Sequence, residues 1–143
     1  MSITPKISLK NVHKAFGPRV VLNGVNLDVA PGESVVIIGG SGIGKSVTIK
    51  CILGLLTPDK GKIEIGGENV LEMDPIARDK LNMQIGMLFQ HAALFDSLPV
   101  WENVAFGLLA EKRCSRRRAR EIAIEKMSLV GLRPAIGDLS PAD

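Results

Sequence analysis

Residues 7–16, ISLKNVHKAF, alternate apolar and polar positions as a half-buried strand does, and VVLNGVNLDV at 20–29 repeats the pattern before a Pro31-Gly32 turn. SVVII, residues 34–38, is apolar and β-branched without alternation, which predicts a strand covered on both faces. Beyond a glycine cluster, SVTIKCILGLL at 46–56 is apolar nearly all round and predicts a buried helix that opens at Lys45. TPDKG reads as a turn, and KIEIGGENV at 62–70 as a strand running into a Gly-Gly turn. Asp74 followed by Pro75 marks a helix start, with Asp as N-cap and Pro at the first helical position. QIGMLFQ at 84–90 is a further candidate strand. Ser115 caps a last helix with Ala119, Ile122, Ala123, Met127 and Val130 on one face and Gly131 just past its end. Without internal repeats or low-complexity tracts, this order predicts an α/β domain with a largely parallel sheet, preceded by a small β portion.

Composition narrows the class without changing that picture. The 143 residues are 45% hydrophobic and 23% charged, enough for one domain with its own core. Residues 1–110 hold ten Lys/Arg against ten Asp/Glu, and residues 111–143 hold eight against five, so the net charge of +3 sits in the tail. That balance argues against a protein whose main surface grips nucleic acid. Cys51 and Cys114 lie far apart with no Cys or His at metal spacing, which excludes a disulfide framework and a zinc site and fits a reducing compartment. The N-terminus lacks the basic start and apolar stretch of a signal peptide, and no window approaches the roughly 18 apolar residues of a membrane span. Any membrane role is therefore expected to run through a partner.

The glycine cluster carries the chemistry. Gly39, Gly44, Lys45 and Ser46 fill the pattern G-x-x-x-x-G-K-[ST], with Gly40, Ser41, Gly42 and Ile43 between. Consecutive glycines let several backbone N–H groups point into one concavity, and the following helix adds the positive end of its dipole. Such a nest binds phosphate. Lys45 would reach the β- and γ-phosphates, and the Ser46 hydroxyl would coordinate the Mg2+ that bridges them. An ordinary Gly-rich loop with a solvated lysine is the alternative, and the strand-loop-helix setting speaks against it. The pattern alone leaves kinases, GTPases and transport ATPases open, although the guanine-reading N-K-x-D is absent.

The surroundings of the loop supply a resemblance. SLKNVHKAFG, VLNGVNLDVAPGE, the loop itself and GLLTPDKGKIEIGG resemble, in order and spacing, the N-terminal part of an ABC-transporter ATPase, and the similarity runs the whole chain. It implies a P-loop NTPase fold of the ABC type, incomplete here. Its parts would be a β portion at 1–33, a P-loop core at 34–90, and a Q-loop with the start of a helical subdomain at 91–143. It also implies that Phe16 stacks on adenine, whereas by itself Phe16 reads equally as a core aromatic. MLFQHAALFDSLPVWENV resembles the Q-loop region, so that Gln90 would contact Mg2+ or the attacking water and relay nucleotide state; alone, it reads as a polar residue ending a strand. The backbone of Gly39–Val47, with Lys45 and Ser46, is the implied ATP site. ALF…V…ENVAF is similar, more narrowly, to the ATP-binding subunits of phospholipid-transport, lipid-asymmetry and toluene-tolerance systems. A transmembrane permease, a second ATP-binding subunit and a place on the cytoplasmic face of the inner membrane follow from that resemblance.

Several features depart from the family's pattern. Gly40 stands where proline is common. Val47 replaces a threonine that touches the α-phosphate, and the sequence leaves open whether Thr48 substitutes for it. GLRPAIGDLSPAD resembles the segment ahead of an LSGGQ-type signature, but residues 1–143 contain no signature, Walker B aspartate or switch histidine, and His13 and His91 read as surface residues. ATP binding without turnover is expected of this polypeptide, and a truncated non-catalytic fragment is the alternative reading. The strand at 35–38 would then lack sheet neighbours, which predicts poor solubility. The run KRCSRRRAR, residues 112–120, reads as an exposed helix face balanced in part by Arg117 and Glu121 at i,i+4 spacing. Contact with lipid head groups, a membrane subunit or nucleic acid remains open for it.

Overall fold

The computed structural model describes residues 3–143; the first two positions of the expected 1–33 β portion lie outside them. The chain divides into two compact units, Met1–Gly86 and Met87–Asp143.

The first unit is a four-stranded antiparallel sheet with two helices. β1 (Ile7–Phe16) and β2 (Arg19–Val29), the two predicted strands, pair as a hairpin, and β3 (Lys60–Ile65) and β4 (Glu68–Asn69) form a second across the Gly66-Gly67 turn, giving the order β2-β1-β3-β4. The alternation in β1 is interrupted. Asn11 adopts a φ of +51°, and the pairing with β3 jumps from Lys10↔Lys62 to His13↔Lys60, so Asn11 and Val12 oppose Gly61 alone. This bulge brings Leu9 and Val12, three residues apart, onto the same buried face. Gly61 is required there: its φ is +101°, and a Cβ would strike Asn11 O and lie 2.7 Å from Lys10 O. The bulged Asn11 N–H is satisfied by Asn26 Oδ1 at 2.9 Å.

Helix α1 (Lys45–Leu53) packs Cys51 and Ile52 against Leu9, Val12, Leu22, Ile63, Ile65 and Val70. It is shorter and less buried than the apolar run suggested. Gly54 takes φ +76° and closes the helix, and only Thr48, Cys51 and Ile52 are buried along it. Helix α2 (Pro75–Asn82) starts as predicted, with the Asp74 carboxylate accepting from Ala77 N at 3.0 Å. Arg78 Nη2 donates to Ile52 O at 2.5 Å, capping the carbonyl end of α1.

Three expectations fail here. Residues 34–38 form no strand, and all five are exposed, Val36 at 79% and Ile38 at 87%. Residues 84–90 form no strand either, so Gln90 ends no strand. No parallel pairing exists among the described residues. The reason is common to all three. A strand covered on both faces needs neighbouring strands to take its N–H and C=O groups, and none of the described strands lies beside these segments.

The second unit is helical. α3 (Val100–Val104), α4 (Phe106–Ala110), α5 (Arg116–Leu129) and a 3-10 turn (Pro134–Asp138) surround a core of Trp101, Ala105, Ala119 and Ala123, with Leu109, Cys114 and Ile124 at its edge. Ser115 caps α5 by accepting from Arg118 N at 3.2 Å. Ala119, Ala123 and Met127 are buried and Ile122 is half-buried, whereas Val130 ends the helix fully in solvent. Gly137 is buried because a Cβ there would sit 2.7 Å from Ile124 Cδ1, close to Trp101 and Met127.

Candidate functional site

The loop from Gly39 to Lys45 belongs to the first unit, and backbone conformations only glycine adopts readily shape it. Gly42 and Gly44 have φ of +80° and +107°. A Cβ on Gly44 would lie 2.8 Å from Leu22 Cδ2 and 3.1 Å from Val21 O, so the loop rests directly on β2. A Cβ on Gly39 would overlap Ile43 Cδ1, so Ile43 folds over Gly39; Gly40 has nothing within contact range, and Ser41 is exposed.

Gly44 is the N-cap of α1 and offers no side chain to the first turn. Among the described residues, no backbone carbonyl accepts from an N–H between Gly39 and Val47. These donors gather at the positive end of the α1 dipole, as an anion-binding loop requires. Lys45 Nζ donates to Gly39 O at 2.5 Å and Gly40 O at 2.6 Å, so its ammonium closes the loop from within. Ser46 is exposed in the first turn of α1. The residues present therefore fit a polyphosphate: free amides, one held ammonium and a hydroxyl a single position further on.

Thr48 does not stand in for the missing threonine. Its hydroxyl is buried and donates to Gly44 O at 2.9 Å, which turns it back along the helix, while Val47 packs half-buried on the core.

Phe16 ends β1 and is 47% exposed, so it is not a core aromatic; Lys14 Nζ lies 5.4 Å from its ring centroid. The TPDKG turn has a role its composition does not reveal. Asp59 accepts from Ala15 N at 2.7 Å and from Lys14 Nζ at 3.4 Å, fixing the strand end that carries Phe16. The Ala15 N–H bond, with Lys14 beside it, holds the Asp59 carboxyl below the usual carboxylate range. Arg19, Phe16's partner across the hairpin, was also invisible to motif reasoning, and it donates from Nη2 to Gly42 O at 3.1 Å.

Gln90 belongs to the second unit, exposed in a stretch without helix or strand, and Ala92 and Ala93 beside it have φ of +51° and +55°. His91 is exposed too, whereas His13 is half-buried in β1 with Nε2 3.0 Å from Asn11 Oδ1.

The basic run is largely neutralised within the second unit. Arg113 pairs with Glu111, Arg117 and Arg118 with Glu121, Arg120 with Asp138 at 2.8 Å, and Arg116 with Glu102 while its guanidinium lies 4.9 Å over the Trp101 ring. Arg118, with Arg117 assisting, keeps the Glu121 carboxyl below its ordinary range. Such pairing favours a structural helix face over a phosphate-binding patch.

Comparison with known proteins gives the family and the fold. The family model described as ABC transporter matches residues 22–140. Protein TRIGALACTOSYLDIACYLGLYCEROL 3, chloroplastic, of Arabidopsis thaliana is 40% identical over 128 residues, covering 89% of this chain and 36% of that protein. The probable ribonucleotide transport ATP-binding protein mkl of Mycobacterium leprae (strain TN) is 38% identical over 126 residues, covering 88% and 36%. Among solved structures, a dimeric bacterial ABC transporter cassette superposes with a TM-score of 0.85 at 31% identity, over 95% of this chain and 62% of that one. The chain thus spans about a third of the length of the curated relatives it matches.

Proposed function

Because this chain belongs to the ABC transporter family, we propose that its Gly39–Val47 loop binds the polyphosphate of ATP, as the N-terminal part of a transporter's ATP-binding subunit. The observation that carries the reading is the set of loop N–H groups without carbonyl partners, gathered at the start of α1 with Lys45 folded into the loop. When bound, ATP with Mg2+ supplies the free energy of phosphoryl transfer that drives transport. The chain's own residues hold and orient it. Amides of 39–47 and Lys45 would take the phosphates, the Ser46 hydroxyl would hold the metal, and exposed Phe16 would stack on adenine; for Gln90 the proposed role is contact with Mg2+ or the attacking water. No group is assigned within residues 1–143 as the base that would deprotonate an attacking water, so binding without steady-state turnover is the proposed behaviour of these residues by themselves.

A permease and a second ATP-binding subunit are the proposed partners, placing the chain on the cytoplasmic face of the inner membrane; no described helix is long and apolar enough to cross one. The domain reading 1–33, 34–90 and 91–143 stands with this proposal, as does a phospholipid substrate. The Arabidopsis relative's name is that of a galactosyl lipid, which favours lipid; other relatives are named for spermidine/putrescine and methionine import. In the assembled transporter, ATPase activity should rise with phospholipid, and stimulation by a polyamine or methionine instead would refute the lipid reading.

Thermal unfolding tests the site itself. MgATP at about 100 times its dissociation constant stabilises a folded protein by about 2.7 kcal/mol, a rise of several degrees. Lys45→Ala should lose most of that rise, and no rise in the parent protein overturns the reading.

A further inference from the structure

One side-chain brace of the loop comes from the hairpin that carries Phe16. β1 turns through Gly17, at φ +58°, and Pro18 into Arg19, which pairs with Phe16 in the register of the hairpin. The Arg19 guanidinium reaches 3.1 Å from Gly42 O, and the approach is close enough that a Cβ on Gly42 would lie 2.9 Å from Nη2. Two and three residues further along β2, Val21 O and the Leu22 side chain close on Gly44. One strand thus fixes the loop at both of its positive-φ positions, by backbone contact at Gly44 and through a single exposed arginine at Gly42. The other cation of the loop, Lys45, binds the carbonyls of Gly39 and Gly40, so the two divide the loop between them.

We propose that Arg19 is a positioning residue, whose bond to Gly42 O holds the loop with its amides facing the polyphosphate and ties that geometry to the adenine-stacking turn. The inference rests on the nucleotide-binding reading above. A guanidinium donating to a carbonyl also polarises that peptide unit, which strengthens the N–H of Ile43 as a donor toward phosphate. Because Arg19 is exposed on the surface, its replacement is expected to act on the loop and leave the fold intact.

Calorimetric titration of the 143-residue chain with MgATP and with adenosine separates these effects. Arg19→Ala should weaken MgATP binding about tenfold, by loss of one charge-assisted bond. It should leave adenosine affinity and the unfolding temperature of the free protein unchanged. Arg19→Lys keeps a charged donor of nearly the same reach and should recover most of the loss. MgATP bound by Arg19→Ala as by the parent overturns the inference, and so does an equal loss for adenosine or a fall in the unfolding temperature of the free protein. MgATP bound no better by Arg19→Lys than by Arg19→Ala also overturns it. If the parent does not bind MgATP, or Lys45→Ala binds equally well, it is the nucleotide reading that fails.

Discussion

The glycine loop at 39–45 depends on individual residues that have no substitute. Gly44 is the clearest: it combines a φ of +107° with an approach of 3.1 Å by Val21 O, a backbone atom that cannot swing aside. Gly44→Ala is expected to cost about 2–3 kcal/mol of stability, through left-handed strain and displacement of the loop from β2. Denaturant unfolding measures that cost, and MgATP binding should fall with it; a variant as stable as the parent would show that the loop does not rest on β2. Gly40, with open space around it, should tolerate alanine in the same assay. The pattern fixes Gly44 and leaves Gly40 at a variable position, but only their neighbours show what each can tolerate. Val47 and Thr48 make the same point, since which hydroxyl faces the loop depended on whether Thr48 turns back to Gly44 O.

The elements divide between those with local signals and those without. Asp74, Pro75 and Ser115 fix the starts of α2 and α5 within one turn of chain, and both helices begin where those residues predict. The first hairpin is equally local in its turn, but its bulge is not, because Asn11 departs from alternation only where Gly61, fifty residues on, leaves room. Asp59 shows a similar long reach, joining the turn before β3 to the end of β1 through Ala15 N. Its carboxyl is held below the ordinary range first by that N–H bond and then by Lys14. A depressed folded pKa contributes stability that is present above the unfolded value and is lost as pH falls through the folded one. The advantage of the parent over Asp59→Asn should therefore be full near neutrality and shrink as the pH falls through and below the ordinary carboxylate range. Urea midpoints across that range test it, and a gap that stays constant would remove the carboxylate from the account.

At the scale of the whole molecule, residues 34–38 are the exposed apolar segment most in need of a neighbour, with Val35, Val36, Ile37 and Ile38 all open to solvent. An unpaired apolar backbone segment of this kind promotes association. Val36→Lys and Ile38→Lys together should raise the soluble, monomeric fraction in light scattering without lowering the unfolding temperature. A fall in that temperature would mean that the two side chains support the fold. What the sequence by itself determined were features closed within a few residues: the glycine loop with its lysine and serine, the caps, the hairpin turns and the Arg117–Glu121 spacing. What only the tertiary structure decided were features needing a distant partner. These are the bulge that turns Leu9 and Val12 to one face, the reach of Arg19 to Gly42, the hold of Asp59 on β1, and the absence of a strand at 34–38. A short run of apolar residues specifies a preference for burial, but only neighbouring strands that take its backbone hydrogen bonds can make it a sheet.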